Sequence, residues 1–241
     1  MNRNILVVND DGIRSKGIVR LAEAAARFGH IWIVAPDQQC SGMSQKISIF
    51  DPISVTPFDF PVPAEAAWSI GGTPADCVKT AFNFLLHEKP DLVLSGINNG
   101  YNTGFDTAYS GTIGAAMEAL MKGIPAIAFS NHLDGSYETV DRYLEPLIEE
   151  LLASPLPPSE LWNVNFPGVP LSECRGILRD RRIAPVQLYR DLYTRQDLPD
   201  GSFTLRNASL PISPGLVPED TDVYAVLTGH VSVGTLRCPV L

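Results

Sequence analysis

The chain has 241 residues, 45% of them hydrophobic, with 18 basic against 27 acidic side chains and a net charge of −9. That length and apolar share suffice for one large α/β domain or one domain with an appendage, and the acidic balance excludes a protein that coats nucleic acid or an anionic membrane, both of which need a basic face. No stretch approaches the roughly 20 apolar residues of a membrane helix, and the four cysteines (40, 77, 174 and 238) lack any C-x-x-C spacing, so they read as reduced thiols of a cytoplasmic protein.

The opening apolar run is too short for a signal peptide and meets Asp10 and Asp11 at once. Ile5–Val8 is continuous, apolar and rich in β-branched residues, as a strand buried on both faces should be. Apolar residues at Ile18, Leu21, Ala22, Ala25 and Phe28 predict a helix from Gly17 to Phe28, closed by Gly29. Ile31–Ala35 reads as a strand stopped by Pro36, and a polar loop follows from Asp37 to Lys46. Ile53–Thr56 and Ala67–Ile70 read as strands. Thr73-Pro74 reads as an N-cap with proline at the first helical position, opening a helix over Ala75–Leu86. Leu92–Ser95 is a further buried strand, followed by a loop from Gly96 to Gly111 rich in Asn, Gly and Thr. A helix from near Thr112 to Met121, a strand over Ile124–Phe129 and a helix over Tyr137–Leu152 complete the alternation. Strand and helix in turn imply a mostly parallel sheet with helices on both faces.

Beyond Ala153 the pattern changes. Ser154-Pro155-Leu156-Pro157-Pro158 is a stiff connector and Trp162–Phe166 one more strand. Residues 175–210 read as an extended hairpin or arm, and Tyr224–Leu227 with Val231–Leu236 as a closing pair of strands.

Ligands of open α/β sheets bind beyond the carboxyl ends of the strands. Three polar segments fall at such ends: Asn9-Asp10-Asp11-Gly12, Ser41-Gly42-Met43-Ser44, and Ser95-Gly96-Ile97-Asn98-Asn99-Gly100. Adjacent carboxylates repel, and a divalent cation is a natural way to stabilise them. Asp10 and Asp11 supply charge while Ser41 and Asn98 offer neutral oxygens, a set that suits Mg2+ or Mn2+ better than zinc or copper. Tyr109-Ser110-Gly111-Thr112 precedes a helix, where free backbone N–H groups can receive phosphate. The substrate-binding set expected on this rim is Asn9, Ser41, Gly42, Ser44, Asn102, Ser110, Gly111 and Thr112. Each motif taken alone also reads as a plain turn or helix cap; their convergence is what points to a site. Gly71 to Asp76 either lines the same cleft or simply caps a helix. The four histidines show no ligand spacing.

Two other enzyme classes lack their signatures. No G-x-G-x-x-G follows the first strand, and no G-x-x-x-x-G-K-[ST] occurs anywhere. A non-catalytic metal or nucleotide module on the same fold stays open at this point.

Taken together, NDDG at 9–12, VAPD at 34–37 leading to SGMS at 41–44, GTPADCV at 72–78, DLVLSGIN at 91–98 and YSGT at 109–112 resemble the SurE family over nearly the whole chain. The resemblance implies a Rossmann-like core over 1–153, with closing strands and a protruding hairpin arm over 154–241. It implies a phosphomonoesterase acting on nucleoside monophosphates, a 5′-nucleotidase with 3′-nucleotidase and exopolyphosphatase side activities in some members. It implies one divalent cation per subunit on Asp10, Asp11, Ser41 and Asn98, with Asp10, Asp11 and Asn98 catalytic, and a homodimer or homotetramer. At one position the chain departs from the family pattern, carrying Cys40 where an arginine often precedes the serine loop.

Overall fold

Alternation along the first strand sets the architecture. In β1 (Arg3–Val8), Ile5 and Val7 face one apolar layer while Leu6 and Val8 face another, and all four are fully buried. The computed structural model describes residues 3–189, 192–208, 210 and 212–241. Met1 and Asn2 of the opening run, and Arg190, Asp191 and Ser209 of the expected arm, lie outside the described residues.

Nine strands form the main sheet. After β1 come β2 (Gly29–Pro36), β3 (Val55–Pro57), β4 (Ala66–Ile70), β5 (Leu92–Asn99), β6 (Ala126–Asn131), β7 (Glu160–Phe166), β8 (Ile177–Arg181) and, last in sequence, β11 (Val231–Arg237). The spatial order is β3-β4-β2-β1-β5-β6-β7-β11-β8. From β4 to β7 every pairing is parallel; β3 and β11 run antiparallel to their inner neighbours β4 and β7. β1 therefore sits between β2, which follows it on one side, and β5, which starts the run on the other. Such a reversal of strand order opens a crevice at the carboxyl ends, where ligands of this fold class bind.

Helices cover both faces. Helix α1 (Lys16–Ala25) and α4 (Glu138–Leu152) pack on the Ile5/Val7 side, while α2 (Pro74–Thr80) and α3 (Gly111–Met121) pack on the Leu6/Val8 side. Thr73 caps α2 as expected: its hydroxyl accepts from Asp76 N–H and the Asp76 carboxylate accepts from Thr73 N–H. Helix α2 ends at Thr80 and continues as a wider turn over Ala81–Leu85. The helix over 17–28 is shorter than expected, because Gly29 opens β2 rather than closing α1.

Three expectations are corrected. Tyr224–Leu227 is not a strand but the body of α5 (Asp222–Leu227). A short apolar run does not distinguish strand from helix; here the Thr221 hydroxyl caps the first turn. Buried Asp222 accepts N–H bonds from Gly104, Ala184 and Val223 and so anchors that turn. Ile177–Arg181, placed in the arm by sequence, is instead the outermost strand of the main sheet, parallel to β11. The long loop after Ser95 is also shorter than it reads: β5 runs on to Asn99, and Gly104–Tyr109 forms a 3₁₀ turn. The arm proper is the two-stranded hairpin β9 (Tyr193–Asp197) with β10 (Phe203–Asn207), exposed throughout.

Because Asp222 satisfies three backbone donors from separate segments, Asp222→Ala should destabilise the protein by about 3 kcal/mol or more. Chemical denaturation of the two proteins checks this.

Candidate active site

The Asn9–Gly12 turn sits at the switch point, directly after β1. Asn9 shapes it from within: its Nδ2 donates to Gly12 O (2.9 Å) and to Ser15 Oγ (2.9 Å), and Ser15 in turn caps α1. Asn9 is fully buried. Its side-chain Nδ2 therefore holds the turn. Among the described residues the Asn9 Oδ1 has no hydrogen-bond partner.

Asp10 is 2% exposed. Its Oδ1 accepts from Thr112 Oγ1 (2.6 Å), and its backbone carbonyl accepts from Cys40 N–H (2.7 Å). Those two bonds tie the end of β1 to the first turn of α3 and to the loop that carries Ser41. Asp11 lies further out, and its Oδ2 accepts from Asn99 N–H (2.8 Å) at the end of β5. The three polar segments thus converge through specific bonds. Gly111 is required by this approach: a Cβ there would meet Asp10 Cβ at 2.9 Å and Asp10 Oδ2 at 3.1 Å.

Burial pushes the Asp10 carboxyl up to about 7; the Thr112 hydroxyl pulls it down in part, and the neighbouring Asp11 charge adds to the rise. Asp11 is raised as well, first by burial, with the Asn99 N–H opposing. Two carboxylates that are costly to ionise side by side make a good seat for a divalent cation, which removes that cost.

The remaining donors fit the same ion. Ser41 is exposed, with its Oγ accepting from Gln39 Nε2 (3.0 Å). Asn98 commits its Nδ2 to Gly100 O (2.8 Å), which leaves Oδ1 as its free kind of donor to a cation. The soft atom next door is turned away: Cys40 Sγ donates to Gln38 O and Gly72 O, and burial keeps its thiol protonated. Among the described residues no three His, Cys, Asp or Glu side chains cluster. An oxygen set with two charges and two neutral groups suits a hard ion such as Mg2+ or Mn2+.

Several residues of the expected substrate-binding set make hydrogen bonds within the protein. Thr112 is fully buried and spends its hydroxyl on Asp10. Ser44 donates its hydroxyl to Ala108 O (2.9 Å), pinning the serine loop to the 3₁₀ turn before α3. Asn102 lies in a buried polar cluster, with its Nδ2 on Ser130 Oγ and its backbone held by Asn163 and Asn165. Gly71 to Asp76 caps α2, and the Thr73 hydroxyl and Asp76 carboxylate anchor the loop at Lys46 and Ser48. Ser110 caps α3 through Ile113 N–H (3.1 Å). The N–H groups of Gly111 and Thr112, in the first turn of α3, have no helical acceptor. Gly42, with φ of 72°, has no neighbour around its Cβ position, as an open loop over the site requires. Sequence reading missed two backbone groups, Cys40 N–H and Asn99 N–H, because backbone donors leave no residue-type signal.

A sequence profile described as "Survival protein SurE" matches residues 5–185. Proteins named "5'-nucleotidase SurE" are similar over almost the full length. One from Nostoc sp. is 41% identical across 97% of this chain and 92% of its own. Another from Trichormus variabilis is 38% identical over the same shares. A solved structure titled "Crystal Structure of Sure Protein from Aquifex aeolicus" superposes with a TM-score of 0.83 at 35% identity, covering 99% of this chain and 94% of that one.

The raised carboxyl of Asp10 carries a sign for stability. Its folded pKa of about 7 lies above the ordinary aspartate value of 3.8, so the folded state holds the extra proton and stability falls as pH rises between those values. Without a divalent cation, thermal unfolding at pH 8 should therefore place Asp10→Asn above the unmodified protein by about 2–5 °C. Calorimetry in the presence of a chelator checks it.

Proposed function

Because the chain belongs to the SurE family, we propose that it is a 5′-nucleotidase, a phosphomonoesterase that releases phosphate from nucleoside monophosphates at the Asp10–Asp11 rim with one divalent cation, Mg2+ or Mn2+, per subunit. The observation that carries this reading is the bonding that joins Asp10 to Thr112 and Cys40, and Asp11 to Asn99, at the strand-order switch point.

The roles of the side chains follow from their bonds. Asp10 and Asp11 would hold a divalent cation through their carboxylates, with Ser41 and Asn98 completing the set. Bound there, the cation supplies Lewis-acid polarisation of a phosphoryl oxygen and lowers the pKa of the attacking water. Thr112 fixes the Asp10 carboxylate in one rotamer through the 2.6 Å bond. The free N–H groups of Gly111 and Thr112 face the phosphoryl oxygens and receive the charge that builds up on them. Gly111 lets those donors come close, since any side chain there would strike Asp10. The exposed hairpin, with Tyr193, Phe203 and Leu205, offers apolar surface for a homodimer or homotetramer. Activity on 3′-nucleotides and short polyphosphate belongs to the same proposal, since the proposed donors all address the phosphoryl group.

Phosphate release from AMP with Mn2+ or Mg2+, and its loss on chelation, is the first expectation. No release from folded protein under any of these conditions would shift the reading to a binding module. Asp10→Asn should lower kcat by at least about a thousandfold, because it removes a charged ligand while keeping the shape. Thr112→Val, which removes only the positioning hydroxyl, should cost roughly 10–100-fold. Near-normal rates in both folded variants at saturating metal would rule out the assignment.

A further inference from the structure

A cleft of about 640 Å³ opens beside Asp11, on the side away from the first turn of α3. That volume falls within the roughly 300–1,000 Å³ of small-molecule sites. Its outer wall is built by α1 and the start of α4. There the Arg20 guanidinium lies over the Tyr137 ring, 4.4 Å from its centroid. The stack is fixed from behind, because Arg20 Nε donates to Asp141 Oδ1 at 3.0 Å. About a third of the Arg20 side chain remains exposed to solvent.

The opposite side of the cleft is Asp11 itself. Asp11 and Tyr137 line the same cleft. Asn99 joins them along the floor. Its backbone N–H holds Asp11, and its side chain clasps the turn after β6, with Oδ1 accepting from Asp134 N–H (2.8 Å). Lys16 and Gln39 stand at the mouth.

The cleft therefore has one end for a cation-bound phosphate and another end that is flat, cationic and aromatic. Nucleobases stack on aromatic rings and guanidinium planes whatever their identity. We propose that this cleft is the nucleoside subsite, and that the Arg20–Tyr137 stack selects phosphate esters that carry a base over those that do not. The inference deepens the nucleotidase reading and rests on it for the phosphate end. The stack tolerates any base, so it favours nucleoside monophosphates as a class.

The test compares AMP with ribose 5-phosphate, which keeps sugar and phosphate and lacks the base. Arg20→Lys keeps the charge but loses the plane; Tyr137→Leu keeps apolar volume against the core but loses the ring; Tyr137→Phe keeps the ring. Folding is checked by circular dichroism. KM for AMP should rise about tenfold in Arg20→Lys and Tyr137→Leu and stay within about twofold in Tyr137→Phe, with ribose 5-phosphate unchanged throughout. Equal losses on both esters would make the pair merely structural, and an unchanged KM for AMP would remove it from recognition; either result overturns the proposal. So does a loss confined to Tyr109→Leu, which would put the base on the opposite side, where Tyr109 is exposed. Adenosine binding, measured by calorimetry without metal, separates the two readings. If neither ester is cleaved, the nucleotidase reading fails. The subsite then stands if the unmodified protein binds adenosine and Tyr137→Leu does not, and falls if adenosine does not bind.

Discussion

A carboxylate taken almost wholly out of water at the end of a parallel strand is expensive, and the site is organised around keeping Asp10 in that position. One oxygen is matched by a buried hydroxyl from α3, and the backbone carbonyl is matched by the loop that carries Ser41. The second carboxylate, Asp11, is anchored separately by the end of β5. Each bond joins elements that are distant in sequence. Forming the carboxylate pair and closing the crevice are thus one event.

The other polar residues of the rim divide into scaffold and contact groups. Asn9, Ser44, Thr73 and Asn102 carry the residue types of a binding loop, yet their side chains bond to protein. Strands that end in a polar crevice leave backbone groups without ladder partners, and buried groups of that kind must be satisfied locally. Side-chain amides and hydroxyls do so here, which leaves Asp11, Ser41, Asn98 and the first-turn N–H groups of α3 for what enters from solvent. The same economy shapes the neighbouring cleft, where Asn99 serves Asp11 with its backbone and the turn after β6 with its side chain.

Much of the fold was legible before any coordinates, for reasons that can be named. The two-sided burial of β1, the cap at Thr73 and the helix expected from near Thr112 each follow from periodicity or from a short-range bond. The misreadings share the opposite property. Tyr224–Leu227 became helix because Asp222 finds donors at Gly104 and Ala184, more than thirty residues away. Ile177–Arg181 joined the main sheet because β11 offered it a parallel edge, which its charged sequence does not announce.

The sequence by itself determined the class of fold and the family to which the chain belongs, because residue type and spacing carry that information. Only the tertiary structure decided which polar side chains face solvent, that Thr112 serves Asp10 and not a ligand, and that Arg20 from α1 meets Tyr137 from the start of α4. Those outcomes depend on pairings across more than a hundred residues, and such pairings exist only once strand order has brought the segments together.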